Sequence, residues 1–280
     1  MIASLSLGLV AAICWGVHDI CVRYVSQRVG IYPSILTVLI VGSIVLAPIC
    51  ISWGDWAAVT GLGLAYASAS GATFTLAGIA LYKAFAIGPV RLVAPIIGSY
   101  PILSVGLVYL SGGTVHLTQG LAVLVIVCGI AIVAQGDGSG AAGSRRSAIA
   151  WSITAAIGFF TSFALGQSAA SLGAELPVIL LTRLVAVITV LGVICVLRTT
   201  AWPDRRQLPL LSIMGVLDGS ALAVIVFSGT KDFAEYAAVT ASTFGIITVI
   251  LAWVFLRERM SPIQWGGVAL VFAAVAYLGL

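Results

Sequence analysis

Long stretches of this 280-residue chain contain no charged side chain. Residues 32–53 and 57–82 hold no Asp, Glu, Lys or Arg and are dominated by Ala, Val, Ile and Leu. About 20 apolar residues in a helix cross the hydrocarbon of a bilayer, and both runs reach that length. A water-exposed globule cannot be built from such material. Hydrophobic residues make up 61% and charged residues 8%, against about 45–50% and about 25% in soluble domains. With a mean hydropathy of +1.19, there is too little polar side chain to cover a wet surface. The apolar runs are continuous rather than alternating, which selects helices over a barrel. The chain reads as an all-α integral membrane protein.

Cut at glycines, prolines and charge clusters, the sequence yields ten expected spans. They are roughly 2–24, 32–53, 57–82, 90–110, 116–135, 148–170, 175–197, 208–229, 233–256 and 261–280. The opening run lacks a basic leader and continues to Val22, so it reads as the first span rather than a cleaved signal. Nothing is left over for a soluble domain. Cys14, Cys21, Cys50, Cys128 and Cys195 lie inside apolar stretches without CxxC spacing, and read as small buried hydrophobes. The net charge of +4 comes from scattered arginines, so no nucleic-acid partner is expected. The expected partners are the lipid bilayer and a small-molecule substrate.

Lysine and arginine cluster in alternate connections. Arg23, Arg28, Lys83, Arg91, Arg145, Arg146, Arg198, Arg205, Arg206, Arg257 and Arg259 follow spans 1, 3, 5, 7 and 9, while the other connections carry only Lys231. By the positive-inside rule the odd connections are cytoplasmic and both termini lie outside. Lys83 and Arg91 are expected to snorkel at the interface.

The two halves echo each other. Trp15-Gly16 answers to Ile157-Gly158, Pro33 to Pro177, Lys83 to Lys231, and Gln119 to Gln264. The four offsets lie between 142 and 148 and occur in order. Five spans per half is odd, so the second copy must enter the membrane inverted. That gives a first repeat over 1–135, a linker over 136–147 and a second repeat over 148–280. Two inverted five-helix repeats, with a midplane substrate site between them, are an architecture of secondary transporters.

The segment Ala237-Ala238-Val239-Thr240-Ala241-Ser242 leads into an apolar helix and then Phe255-Leu256-Arg257-Glu258-Arg259-Met260-Ser261, followed by Gln264 and Gly266. This resembles the closing signature of the EamA-type drug/metabolite transporter superfamily. Ala80-Leu81-Tyr82-Lys83, Pro101 and Gln119-Gly120 supply the first-half copy, and Trp15-Gly16 stands where the family has that pair. The resemblance implies ten helices in two inverted repeats and export or exchange of small metabolites across the plasma (inner) membrane. Two departures stand out. The first half has Thr114-Val115-His116 where the family's Glu-Arg pair is expected. Some members also have cytoplasmic termini, opposite to the charge distribution here.

Charged groups within hydrocarbon are costly, so each is a functional candidate. Arg183 and Asp218 lie at similar depths in adjacent spans, at about 1.5 Å per residue. They read as an ion pair, either a structural clasp or a charged group facing substrate. His18 and Asp19 read as a proton-coupling site, or else Asp19 pairs with Arg23 one turn on. Pro95 and Pro101 bracket Gly98-Ser99-Tyr100, and Ser242-Thr243-Phe244-Gly245 is the matching part of the second half. Paired interruptions point to a binding site, or to kinks with close packing. Ser99, Tyr100, Ser242 and Thr243 are then hydrogen-bonding candidates, Arg183 and Asp218 the charged ones. Trp15 and Tyr82 are candidate aromatic walls, or interface anchors.

No HExxH, GxSxG or P-loop pattern occurs. No enzymatic activity, metal or cofactor is expected. The leading function is a secondary transporter of an amino acid or similar metabolite, coupled to protons or a counter-substrate. The alternatives are a sugar-phosphate or nucleotide-sugar exchanger and a membrane scaffold or sensor without transport.

Overall fold

The computed structural model describes residues 2–110, 112, 114, 116–134, 142–228, 237, 240, 241 and 243–278. Those residues form helices and turns, with no strand among them. The helices are α1 (Ile2–Ser26), α2 (Ile31–Trp53), α3 (Gly61–Ile87), α4 (Val90–Gly98), α5 (Pro101–Leu110) and α6 (Leu117–Ala134). The second half supplies α7 (Ala142–Ala170), α8 (Glu175–Leu197), α9 (Leu208–Ser228), α10 (Phe244–Phe255) and α11 (Pro262–Leu278).

Seven of these (α1, α2, α3, α6, α7, α8 and α9) are long and apolar enough to cross a membrane. The others fall short singly. The run expected as one span over 90–110 is two helices, because Ser99 and Tyr100 interrupt it before Pro101. Proline lacks the N–H that would continue the ladder. In the second-half counterpart the continuous helix among the described residues is Phe244–Phe255, and α11 has 17 residues. The first turn of α7 lies inside the Gly/Ser-rich stretch between the halves.

The outer surface is apolar. Ile44 and Ile188 are each 65% exposed, and Leu124, Val127, Leu62 and Trp253 are more than half exposed. A water-soluble monomer rarely shows so extended an apolar surface; lipid is the solvent it fits.

Inside, the two halves interlock. α3 packs on α7 as α1 packs on α9; α3 meets α8 as α2 meets α9; α4 meets α7 as α1 meets α10. Helices α2 and α8, α4 and α10, and α6 and α11 pair directly. Exchanging the halves maps this packing onto itself, as an approximate two-fold relation requires.

Close approach depends on missing side chains. A Cβ on Gly215 of α9 would stand 2.8 Å from the Val38 carbonyl of α2, and one on Gly219 would stand 2.9 Å from the Gly42 carbonyl. Helices in lipid associate by such contacts, since hydrocarbon gives them no hydrophobic drive to cluster. Hydroxyls tie the junctions too. Ser70 of α3 and Ser162 of α7 each donate to the other's carbonyl, at 2.8 and 3.0 Å, and Thr75 donates to the Ala186 carbonyl of α8 at 3.0 Å.

Candidate functional site

Trp15, His18 and Asp19 lie three and four residues apart on α1, so they share one face. That face meets Asp218 on α9 and, behind it, Arg183 on α8. The Arg183 guanidinium donates to Asp218 Oδ2, and both residues are buried. Trp15 Nε1 donates to the other oxygen, Asp218 Oδ1, at 3.3 Å. The guanidinium also stands 5.3 Å from the centre of the Phe74 ring on α3, within cation–π range. Gly42 of α2 lines the pair: a Cβ there would stand in ordinary contact with Arg183 Nη1 at 3.5 Å and Asp218 Oδ2 at 3.6 Å.

Asp19 has a different neighbourhood. Its Oδ1 lies 3.4 Å from His18 Nδ1, and Thr248 of α10 stands beside its carboxylate. The pairing with Arg23 weighed from sequence is not formed, because Arg23 turns away and donates to the Phe85 carbonyl at the end of α3. The Tyr82 side chain reaches the same region from α3, within electrostatic range of both Asp19 and Asp218. Among the described residues, neither the Tyr82 hydroxyl nor His18 Nε2 has a hydrogen-bond partner, and both are buried. The junction thus collects two carboxylates, one guanidinium, an imidazole and a phenol in low-dielectric surroundings, where such groups interact strongly.

Ser99, Tyr100 and Thr243 stand at the helix interruptions. Ser99 donates to the Ile96 carbonyl at 2.7 Å and Thr243 to the Thr240 carbonyl at 2.6 Å, so each hydroxyl is used in its own turn. Tyr100 packs edge-on against Phe163 of α7, ring centres 5.4 Å apart. Ser242 lies outside the described residues. The two interruptions do meet, through a third residue: the buried Phe272 ring of α11 lies against both Gly98 and Gly245.

A second polar cluster sits at the arginine-rich face. Glu258, in the α10–α11 connection, accepts from the backbone N–H groups of Val90 and Arg91 at 2.8 and 3.1 Å. A carboxylate on the first N–H groups of α4 satisfies orphan donors and complements the helix dipole. Arg91 donates to the Arg259 carbonyl and Gln264 Oε1, both at 3.0 Å. Gln264 Nε2 in turn reaches the Val133 carbonyl at the end of α6. Lys83 lies over the Trp151 ring at 4.3 Å. In the sequence Glu258 stands out only within the family signature, and Gln264 within that signature and as the repeat match to Gln119. Their partners in α4 and α6 lie more than a hundred residues away, and no local pattern points to them.

The two halves match one family in turn. Residues 2–135 match the EamA-like transporter family, and residues 146–280 match it again. The chain belongs to that family. It is therefore a multi-pass membrane protein of the drug/metabolite transporter type, built from two EamA copies. A solved structure described only as "Crystal structure of protein" aligns over 99% of this chain and 96% of its own length. Its TM-score is 0.67 and its identity 14%, a likeness of fold alone. No curated protein sequence matches the chain.

Proposed function

We propose that this EamA-family protein is a secondary transporter that exports or exchanges a small organic metabolite, such as an amino acid, by alternating access. The observation that carries the reading is a buried charge cluster at the junction of two interlocked copies. Mid-membrane charge is retained where it handles a substrate or coupling ion, and a junction between repeats is where rocking alternately exposes a site. In this reading the chain crosses the inner membrane ten times as two inverted repeats, with both termini outside. In it α4 and α5 together make one span, and α10 belongs to another.

Trp15, Tyr82, Arg183 and Asp218 form the wall of the substrate site. Ser99, Tyr100, Ser242 and Thr243 border it where the helices are interrupted. His18 and Asp19 form its charge-responsive part, where a proton or part of a counter-substrate couples to movement. The Glu258 tie closes the arginine-rich face and must release when that face opens.

A phosphate exchanger fits less well. It needs surplus buried positive charge, whereas Arg183 is neutralised by Asp218. A scaffold without transport would leave the buried charges dispensable.

The test is uptake and counterflow in proteoliposomes with a labelled panel of amino acids, amines, sugar phosphates and nucleotide sugars, under imposed pH gradients. Saturable flux of an organic metabolite, abolished by Asp218→Asn, is expected. Flux of phosphorylated sugars only would favour the exchanger, and no flux across the panel the scaffold. A C-terminal alkaline phosphatase fusion is expected to be active; a fluorescent, phosphatase-inactive C-terminus would reverse the orientation.

A further inference from the structure

The buried cluster holds two carboxylates, Asp19 and Asp218, and one guanidinium, Arg183, among the described residues. Arg183 and Asp218 neutralise each other, which leaves the Asp19 carboxylate, 7% exposed, without a guanidinium or ammonium partner among the described residues. Its close neighbour is the His18 imidazole. With Asp19 ionised, its carboxylate accepts and cannot donate, and the 3.4 Å contact then puts a ring proton on Nδ1. In the neutral ring, Nε2 then carries a lone pair. That nitrogen has no partner among the described residues, and His18 is only 8% exposed. The Tyr82 oxygen is a second buried atom without a partner among them, in a residue 3% exposed. Buried polar atoms are nearly always bonded, so two such atoms in the region of a carboxylate without a guanidinium or ammonium partner call for an explanation.

What the three groups share is acceptor capacity. Asp19 offers carboxylate oxygens, His18 a ring nitrogen and Tyr82 a phenolic oxygen. A primary ammonium carries one positive charge and three N–H donors. It offsets one carboxylate charge and carries one donor for each of the three groups. A carboxylate or phosphate would meet no free donor except the Tyr82 hydroxyl and would add to the negative charge.

We propose that Asp19, His18 and Tyr82 hold the primary ammonium group of the transported molecule, an inference that rests on the transporter reading and narrows it to amines and amino compounds. Arg183, occupied by Asp218, positions the site and does not bind the substrate's anionic end.

The test uses the full chain in detergent, with n-propylammonium as probe and propionate, propan-1-ol and sodium as comparators. Ligand binding raises the melting temperature in proportion to the logarithm of ligand concentration over Kd. Propylammonium is expected to give a saturable rise, and the other three none. Asp19→Asn should weaken binding about tenfold or more, the loss of a charge-assisted bond. Tyr82→Phe keeps the ring and its packing and should weaken binding about three- to tenfold, so the question stays answerable if Asp19→Asn folds poorly. A rise with propionate, a rise with sodium alone, or undiminished ammonium binding in both variants would overturn the assignment. Ammonium binding without amine flux in proteoliposomes would sink the transporter reading and leave the site standing. Flux of other metabolites without ammonium binding would do the reverse.

Discussion

The two EamA copies, residues 2–135 and 146–280, build their junctions from matching helices and load them with different chemistry. Gln119 Oε1 accepts from the His116 N–H at 3.0 Å, and Gln264 Oε1 accepts from the Ser261 N–H at 3.0 Å. Each is the reciprocal half of a capping box at the start of a copy's last helix. Beyond that cap the copies diverge. Gln264 also takes Arg91 and reaches Val133, while Glu258 holds the start of α4. The first copy offers Thr114-Val115-His116 in the corresponding connection, with no carboxylate. The buried charges are just as unevenly divided. Thr73 and Val38 stand 145 positions before Asp218 and Arg183, and Ala164 and Phe163 stand 145 after Asp19 and His18. Duplication supplied a symmetric scaffold, whereas binding one asymmetric molecule requires unlike groups on the two sides.

The largest expected effect sets one copy's carboxylate against the other's. Asp218→Asn leaves the Arg183 guanidinium buried without a counter-charge, and breaking a buried pair costs about 3–5 kcal/mol. Asp19→Asn removes a buried charge that has no strong partner, so stability should rise. Melting temperatures of the two variants in detergent should move in opposite directions. Arg183→Met with Asp218→Leu should recover most of the loss. Equal losses in the two single variants would erase the contrast.

A smaller effect compares the interruptions. Both Gly98 and Gly245 face the buried Phe272 ring, but a Cβ would stand 3.1 Å from it at Gly98 and 2.3 Å at Gly245. Phe272 is 2% exposed and has nowhere to swing. Gly245→Ala should therefore carry the overpacking cost of about 1–3 kcal/mol, with Gly98→Ala clearly below it. The melting temperatures decide this, and equal shifts would mean that α10 and α11 slide apart freely.

Smaller again is the Glu258 tie. Glu258→Ala removes the acceptor from two N–H groups at the start of α4, a loss of about 1–2 kcal/mol. Amide exchange at Val90 and Arg91 should accelerate, and Glu258→Gln should fall between. If exchange in that segment stays at the wild-type rate, the tie does not hold the arginine-rich face closed.

These contrasts also mark what was legible in the sequence. The helices were readable because lipid demands long apolar runs, and the repeat because Pro33 and Pro177, or Gln119 and Gln264, recur in register. Arg183 and Asp218 stood out because a charge in an apolar run has few explanations. Partner choice was not readable. Asp19 and Arg23 sit one turn apart, yet Arg23 takes the Phe85 carbonyl, since its long side chain reaches another helix. Glu258 looked like a connection residue until α4 was placed under it, because an N–H capped from the other half has no local signature.

The smallest expected effect separates the two glutamines. Gln119 and Gln264 close the same reciprocal cap, so if capping were their whole role, alanine at either position would cost the same. Gln119 makes only that local bond among the described residues, and its loss lets water satisfy the exposed His116 N–H. Gln119→Ala should stay within about 0.5 kcal/mol, as for most surface changes. Gln264 is 4% exposed and serves Ser261, Arg91 and Val133 at once. Its removal strands groups that water reaches poorly, at about 1 kcal/mol net. The location of the change matters more than its size. Gln264→Ala should raise amide exchange near Arg91 in the other copy, and Gln119→Ala should raise it only at the start of α6. Matching exchange patterns would mean that the second copy's connection does not reach across, and that the copies differ in sequence without differing in mechanics.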